Sequence, residues 1–286
     1  MSVFKSIRKF GRMVSSIDMG ETLDALGKLN QTELYQIMKI LKSKNKTYTP
    51  PEIEGDYYEL SRFLTPQERE KQLEVRAFMN EHVKPIANEY WNKARFPMHL
   101  IPKMAELNIA GLTYEGYESP MGSYLLEGFI TMEMARVDTS ISTFFGVQSG
   151  LAMGSIYFCG SEEQKQKWLP PMQRMEKIGA FGLTEPNVGS AVAGGLETTC
   201  KREGDVWILN GQKKWIGNAT FADLVIIWAR DLEDNQVKGF IVEKGTKGFK
   251  AEKQEDKMAL RTVQNALITL DNVEITEDNR LQECRS

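Results

Sequence analysis

The residues best suited to chemistry lie in the segment Ala180–Ser190, which brings hydroxyl groups together with glycine and proline. Pro186 and Gly189 shape the backbone of this segment. Thr184 and Ser190 supply hydroxyls beside backbone N–H groups that are free to point at a ligand. This combination is typical of a loop that cradles a cofactor. Short loops of the same composition also serve as plain surface turns, so the residues alone leave both interpretations open.

A second segment, Asn210–Asn218, places a tryptophan close to a predicted turn. Asn210-Gly211 lies between two β-rich runs and favours a two-residue hairpin turn, because both turn positions require positive φ. Trp215 follows that turn, where its indole can present a flat face to a ring system or lie in the protein core.

The elements that precede these segments carry helical signals. Thr65-Pro66-Gln67-Glu68 combines an N-cap threonine, a proline at the first helical position and a glutamate three residues on, which is a capping box. Ser161–Gln164 repeats the pattern, and Pro170-Pro171 is expected to end the helix that it begins. Pro85 is expected to kink an earlier helix. Further helices are predicted over residues 100–107, 124–136 and 137–157.

After residue 179 the apolar periodicity becomes strand-like. Strands are predicted at 206–209, 213–216, 224–229, 239–242 and 266–270, with a turn at Asp234-Asn235. Helices first and strands second indicate the α+β class: an all-helical domain over residues 53–178, then an antiparallel, barrel-like β domain over residues 179–286. Residues 1–52 are expected to form a basic leader and linker. A Rossmann site is disfavoured because no G-x-G-x-x-G follows a strand.

Composition and charge argue against several functional classes. A formal charge of -3 over 286 residues disfavours a general nucleic-acid-binding protein. No stretch of the length that a membrane span needs is free of charges. Cys159, Cys200 and Cys284 share no short spacing with one another or with His82 and His99, so reduced thiols are expected and no metal site is assigned. If the protein is catalytic, a cofactor or carboxylates are expected to carry the chemistry.

The two chemical segments also resemble a known family. Phe181–Pro186 with Gly189-Ser190, followed by Asn210–Ile216, resembles the flavin-binding signature of acyl-CoA dehydrogenases and acyl-CoA oxidases. The similarity covers roughly residues 56–281. Within the family, the sequence looks most similar to plant peroxisomal short-chain acyl-CoA oxidases and the related glutaryl-CoA dehydrogenases, and Trp215–Leu224 and Arg261–Asn265 favour the oxidase-like branch. Supporting matches lie at residues 135–138, 160–165 and 257–261.

The resemblance implies FAD as the cofactor and a role for particular residues. The Leu183 backbone and the Thr184 hydroxyl would hydrogen-bond the pyrimidine edge of the flavin, and Trp215 would pack against its ring. Ser190 would lie by the FAD pyrophosphate and the CoA arm, and Phe181 would line the cavity near the acyl thioester. The resemblance adds two glycines to the cofactor site, Gly189 and Gly217.

The implied reaction is α,β-dehydrogenation of a short- to medium-chain acyl-CoA to the trans-2-enoyl-CoA, with electron-transfer flavoprotein or molecular oxygen as the acceptor. Three positions depart from the family pattern. Gly217 stands where most dehydrogenases have threonine, and Ala191 replaces an acid. Ser142 stands where glutaryl-CoA dehydrogenases place an arginine, which makes glutaryl-CoA a poor substrate prediction.

Family members continue into a C-terminal helical bundle that carries the catalytic glutamate and much of a homotetramer interface. This sequence contains no such bundle, and none of Glu274, Glu277 or Glu283 matches the base, so no catalytic residue is assigned. The alternative prediction is therefore an inactive, shortened member that acts as a binding protein.

The location in the cell also stays open between two organelles. Lys5, Arg8, Lys9 and Arg12 precede the first acidic residue, a composition that resembles a mitochondrial transit peptide or an unaddressed basic leader. The oxidase-like motifs favour the peroxisome, although the final Ser286 is not the leucine of a peroxisomal address.

Overall fold

The computed structural model describes residue 33, residues 55–190 and residues 192–284, without the side chains of 192 and 193. The chain divides into two compact units, Met1–Tyr58 and Glu59–Ser286, and the second contains the helices and strands that follow. The predicted basic leader and Ala191 lie outside the described residues. Within the described part, no helix combines the length and apolarity needed to cross a bilayer.

The first part of the unit is helical, as the sequence predicts. A 3-10 turn at Leu60–Phe63 opens it, and π-helical turns at Met79–Val83 and Val147–Ala152 interrupt it. The α-helices are α1 (Pro66–Phe78), α2 (Ala87–Lys93), α3 (Leu100–Glu106), α4 (Tyr124–Val137), α5 (Thr139–Gly146), α6 (Met153–Cys159) and α7 (Glu162–Gln173). The predicted interruption at Pro85 is confirmed, because the chain leaves helical geometry between the first π turn and α2.

Both predicted capping boxes are present. The Thr65 hydroxyl accepts from the Glu68 N–H at 3.2 Å, and the Glu68 carboxylate accepts from the Thr65 N–H at 2.9 Å. Ser161 and Gln164 exchange the same pair of bonds at the start of α7. The second carboxylate oxygen of Glu68 also accepts the N–H of Ser123, the N-cap of α4, at 3.1 Å. One carboxylate therefore joins the starts of two helices.

We expect Glu68→Gln to weaken the protein only where the carboxylate is ionised. Hydrogen bonds from Ser123 and Thr65 lower the pKa of Glu68 to about 2. Because this folded-state pKa lies below the unfolded value, the stabilisation is present above about pH 5 and is lost as the pH falls toward about 2. The group is half-buried and partly screened by solvent, so the loss at neutral pH is roughly 0.5–1 kcal/mol. Urea unfolding across this pH range measures it, with exposed Glu70→Gln as the control; a difference that does not change with pH would contradict it.

Helix α7 corrects one prediction, because it continues through Pro170 and Pro171 to Gln173. The two prolines lie in the last turns, where they remove N–H donors but keep their carbonyls. The Arg174 N–H reaches the Pro170 carbonyl at 3.1 Å, and the Glu176 N–H reaches the Pro171 carbonyl at 2.9 Å. Burial of the flanking Trp168, Leu169 and Met172 holds this end of the helix in place.

The second part of the unit is a seven-stranded sheet that follows α7. Its strands are β1 (Gly179–Gly182), β2 (Thr199–Glu203), β3 (Val206–Ile216), β4 (Leu224–Asp231), β5 (Val237–Glu243), β6 (Phe249–Lys253) and β7 (Ala266–Thr276). A short helix α8, Val192–Gly195, lies between β1 and β2. The strand order is β1-β4-β2-β3-β7-β6, with β5 on the other edge of β4. The predicted turn at Asp234-Asn235 joins β4 and β5, with Asn235 at φ 62°.

The α+β prediction is confirmed, with two corrections. The sheet is mixed and not wholly antiparallel, because β4 pairs in parallel with β1 and with two residues of β2. The predicted hairpin at Asn210-Gly211 is wrong, since both residues lie inside the continuous strand β3. Gly211 is required there for space: a Cβ atom would lie 2.7 Å from the Thr198 Cα. The irregularity opposite it is an extra residue in β7, where Asn272 has φ 48°.

The alternation of residues in β4 separates two apolar cores. Leu224 and Ile226 pack with the helices, whereas Val225, Ile227 and Ala229 pack inside the curled sheet. Successive side chains of a strand point to opposite faces, so one strand serves both cores. The loops at the ends of β1 and β3 are thereby held against the helical part.

Candidate cofactor site

A buried ion pair between Glu185 and Lys213 fixes the loop that follows β1. The Lys213 ammonium lies 2.8 Å from the Glu185 carboxylate and donates to the Leu183 carbonyl at 3.1 Å. Neither side chain of the pair is more than 1% exposed. Glu185 also accepts the N–H groups of Glu197, at 2.6 Å, and Thr198, at 2.9 Å. The carboxylate therefore ties the loop to the lysine of β3 and to the start of β2.

The charges of this pair follow from its contacts. Burial disfavours the Glu185 carboxylate, but hydrogen bonds from Lys213, Thr198 and Glu197 outweigh it, so the pKa of Glu185 lies below its usual value. Burial lowers the pKa of Lys213, and the carboxylate beside it opposes that shift. A buried ion pair of this kind is costly to break, because the remaining charge has no compensating partner.

Two hydroxyls lie on the loop that this pair supports. The Thr184 carbonyl accepts the Lys214 N–H at 2.8 Å, which joins the loop to the end of β3. The hydroxyls of Thr184, which is half-buried, and Ser190, which is exposed, make no hydrogen bond within the described part of the chain. Gly189 is exposed beside Ser190. The loop thus presents two hydroxyls that are available to a ligand.

Trp215 is presented to solvent by a constrained backbone. It has φ 64°, at an extra residue of β3 between the pairs made by Lys213 and Ile216. Its N–H donates to the Gln254 side chain at 2.9 Å, and its carbonyl accepts from Asn265 Nδ2 at 2.9 Å. Its side chain remains 53% exposed. Positive φ is uncommon in a bulky residue, and such strained positions cluster at ligand sites.

Gly217 and Asn218 lie where the sheet meets the helices. A Cβ atom on Gly217 would be 3.4 Å from Val147 Cγ2 and 3.5 Å from Val263 Cγ1, which are ordinary contacts. The buried Asn218 amide donates to the carbonyls of Phe144, at 3.2 Å, and Gly179, at 3.3 Å. Its φ of 67° is a conformation that asparagine tolerates well. Asn218 therefore fixes the end of β3 against α5 and β1.

Phe181 differs from the other predicted site residues. It is half-buried in β1 and packs with the helical core, with its ring 6.2 Å from the Trp228 ring in an edge-on arrangement.

Two depressions, of about 580 and 510 Å³, adjoin residues 258–260 and Gln264. None of the seven predicted cofactor residues lines either one. The structure thus brings Leu183, Thr184 and the end of β3 together as an open surface.

Sequence reasoning assigned no role to several residues that build this surface. Glu185 and Lys213 lie within the quoted motifs, and Gln254, Asn265 and Asn218 hold the backbone around Trp215 and Gly217. The burial of Lys213 could have been predicted from the alternation of side chains in β3. Trp207 and Leu209 point inward, and Lys213 lies on the same face of the strand. The described residues contain no cluster of three His, Cys, Asp or Glu side chains that could hold a metal ion.

Comparison with known proteins decides the family. Residues 65–176 match the acyl-CoA dehydrogenase N-terminal domain, and residues 180–273 match the acyl-CoA dehydrogenase middle domain. The chain belongs to the acyl-CoA dehydrogenase family. This confirms the resemblance that the two flavin-signature segments indicate. The two matched regions meet at the start of β1.

The chain is similar in sequence to short-chain specific acyl-CoA dehydrogenases. It is 35% identical over 211 residues to the short-chain specific enzyme of Clostridium acetobutylicum, covering 72% of this chain and 55% of the relative. It is 34% identical over 212 residues to the mitochondrial short-chain specific enzyme of Bos taurus, covering 73% and 51%. The chain spans about half the length of the curated relatives it matches.

A solved structure extends the comparison to the fold. The glutaryl-CoA dehydrogenase of Mycobacterium smegmatis, in complex with FADH2, is 35% identical with a TM-score of 0.76. The match covers 80% of this chain and 58% of that one.

The residues present fit a flavin. A planar ring system needs a flat apolar face and hydrogen-bond partners at its polar edge, and the exposed Trp215 indole and the Thr184 hydroxyl are of these two kinds. The backbone around both is fixed by buried or paired groups, so little order would have to be gained on binding. Bound FAD would supply the two-electron oxidation that side chains cannot provide.

Proposed function

We propose that this chain forms the flavin- and thioester-binding wall of an FAD-dependent enzyme that dehydrogenates acyl-CoA at the α,β bond. One observation carries the proposal: the exposed, backbone-constrained Trp215 follows Lys214, whose N–H binds the Thr184 carbonyl on a loop fixed by a buried ion pair, and the Thr184 hydroxyl makes no hydrogen bond to the residues that the structure describes. The proteins of the same family that it resembles are named as dehydrogenases, which favours an enzyme over an inactive binding protein.

The proposed roles follow the positions of the residues. Leu183 and Thr184 hold the polar edge of the flavin, and Trp215 packs against its ring. Gly189 and Ser190, both exposed on the loop, bind the phosphate groups of FAD and the CoA arm. Phe181 and Gly217 line the space beside the ring and the thioester. The base that takes the α proton is not assigned to any residue of this chain.

The proposed substrate is a short- to medium-chain acyl-CoA. Ser142, half-buried on α5, offers no positive charge for a distal carboxylate, which disfavours glutaryl-CoA. Electron-transfer flavoprotein is the proposed acceptor, with oxygen as the alternative. We propose a mitochondrial location, on the mitochondrial short-chain specific relative.

The substrate class is tested on the protein loaded with FAD. Butyryl-CoA and hexanoyl-CoA are expected to perturb the visible band of the bound flavin, whereas free CoA should perturb it less because it lacks the acyl thioester. Dye reduction and peroxide release are then measured side by side. Reduction of the dye indicates a dehydrogenase, and release of peroxide indicates an oxidase. An unchanged flavin spectrum with every acyl-CoA would contradict the substrate proposal.

Thr184→Val tests the assignment of the flavin edge. The valine keeps the shape of the side chain and removes only the hydroxyl, whose loss costs about 0.5–1.5 kcal/mol, or roughly 2- to 12-fold in the FAD dissociation constant. Thr143→Val is the control, because the Thr143 hydroxyl is already bonded to the Thr139 carbonyl of its own helix. Equal FAD affinity for the Thr184 variant and the wild type would contradict the role.

A further inference from the structure

The segment that follows β7 is docked on the end of the helical part. The Gln164 amide donates to the carbonyls of Asp278 and Arg280, both at 2.7 Å. Leu281 is fully buried, and its N–H donates to the Gly239 carbonyl at 2.8 Å. The Glu283 N–H donates to the Cys159 carbonyl at 2.8 Å. These bonds hold the segment 278–284 against α6, α7 and β5.

This docking brings two cysteines together. The bond from the Glu283 N–H to the Cys159 carbonyl places Cys284 beside Cys159, at the end of α6, where the two thiols interact with each other. Both residues are free and half-buried, and the Cys284 sulfur lies 3.9 Å from the Val237 carbonyl oxygen. The third cysteine, Cys200, is fully buried in the sheet, 4.0 Å from the Ala229 carbonyl oxygen. Cys159 and Cys284 pack against the same apolar core, whereas Cys200 belongs to the core inside the sheet.

We infer that Cys159 and Cys284 form an oxidation site, at which a peroxide converts the two thiols to a reversible disulfide. The Cys284 thiolate attacks a peroxide oxygen, the O–O bond breaks, and Cys284 becomes a sulfenic acid while hydroxide takes a proton and leaves as water. The Cys159 sulfur then attacks the Cys284 sulfur, its proton passes to the departing hydroxyl, and a second water leaves. The two sulfurs lose two electrons together, and the peroxide gains them.

The charges around the pair assign the roles of the two sulfurs. The neighbouring Cys159 thiol lowers the pKa of Cys284 to about 7 against the opposing effect of burial, with smaller contributions from the Gly239 backbone and the Arg280 and Lys238 cations. The interaction with Cys284 and burial raise the pKa of Cys159, against a weak effect of Lys165. Cys284 is thus the attacking thiolate and Cys159 the resolving thiol. Burial raises the pKa of Cys200 to about 12, which disfavours its reaction.

The experiment uses the full chain, treated with hydrogen peroxide and digested without reduction. We expect a mass loss of two hydrogens, a cross-linked peptide pair containing residues 159 and 284, and reversal by dithiothreitol. The bond closes a loop on the order of 100 residues, so the oxidised protein should melt roughly 5–15 °C higher. Cys159→Ser should stop the oxidation at the acids of Cys284, and Cys200→Ser should leave the cross-link unchanged.

Two results would overturn the inference. One is separate oxidation of the two cysteines to sulfinic or sulfonic acids in the wild-type chain, without the cross-linked peptide. The other is cross-linking of Cys200 or of two chains at a rate equal to that of the Cys159–Cys284 bond. Both are read from the peptides of the wild-type protein, so neither depends on whether a variant folds.

Discussion

Replacing Lys213 with methionine is expected to lower the free energy of unfolding by about 3–5 kcal/mol, because it leaves the Glu185 carboxylate buried without a cation. The ammonium is fully buried, 2.8 Å from that carboxylate and 3.1 Å from the Leu183 carbonyl. The variant should also lose at least tenfold in FAD affinity, since the loop that carries Thr184 would no longer be fixed. Chemical denaturation and an FAD titration measure the two effects.

A second background separates the charge from the packing. Glu185→Gln removes the carboxylate but leaves an acceptor for the N–H groups of Glu197 and Thr198. Adding Lys213→Met to this variant should therefore lower the free energy of unfolding much less than it does in the wild type. Lys201→Met is the surface control, because its ion pair with Glu203 is exposed and is worth about 0–1 kcal/mol. If Lys213→Met cost no more than Lys201→Met, the buried pair would not support the loop.

Gly211→Ala is expected to be the second severe change, at roughly 3–5 kcal/mol. A methyl group there would lie 2.7 Å from both the Cα and the hydroxyl oxygen of Thr198, and the backbone φ of 144° is one that alanine rarely adopts. Overpacking and backbone strain each cost about 1–3 kcal/mol. The strand continues from Gly211 to Lys213 and Trp215, so a displaced backbone should also weaken FAD binding.

Gly217→Ala is the matched control for stability. The added methyl would meet Val147 and Val263 at 3.4 and 3.5 Å, and the backbone there does not have positive φ. We expect its melting temperature to stay within a few degrees of the wild type, since ordinary contacts cost less than about 1 kcal/mol. Thermal unfolding of both variants checks the comparison, and equal losses would contradict the account of Gly211.

The sequence predicts most of the helical part because its signals are local. The capping boxes at Thr65 and Ser161 use residues three positions apart, and both occur in the structure. The prolines at 170 and 171 mislead, because the penalty for proline depends on which N–H groups the helix still needs and on the core that holds its end. The core that holds the end of this helix forms only by tertiary packing.

The contacts that build the candidate site cannot be predicted from local sequence patterns. Asn210-Gly211 has the composition of a hairpin turn, but the glycine is required by the close approach of Thr198, which lies just before β2. The sequence motifs predict Thr184 and Trp215 as site residues. The contacts of Glu185 with Lys213 and of Trp215 with Gln254 and Asn265 join distant parts of the chain. Only the fold reveals which residues hold the site rigid.

The most direct test of the central claim is a titration of the purified chain with FAD, followed by the visible spectrum of the flavin and by tryptophan fluorescence. We predict saturable binding of one FAD per chain, a shifted flavin band and quenching that is reduced in Trp215→Leu. Trp207→Phe is the comparison, because that indole is buried in the sheet and bonded to Glu277. A folded chain that shows no saturable binding, or that binds FAD equally well without Trp215 and without the Thr184 hydroxyl, would contradict the account.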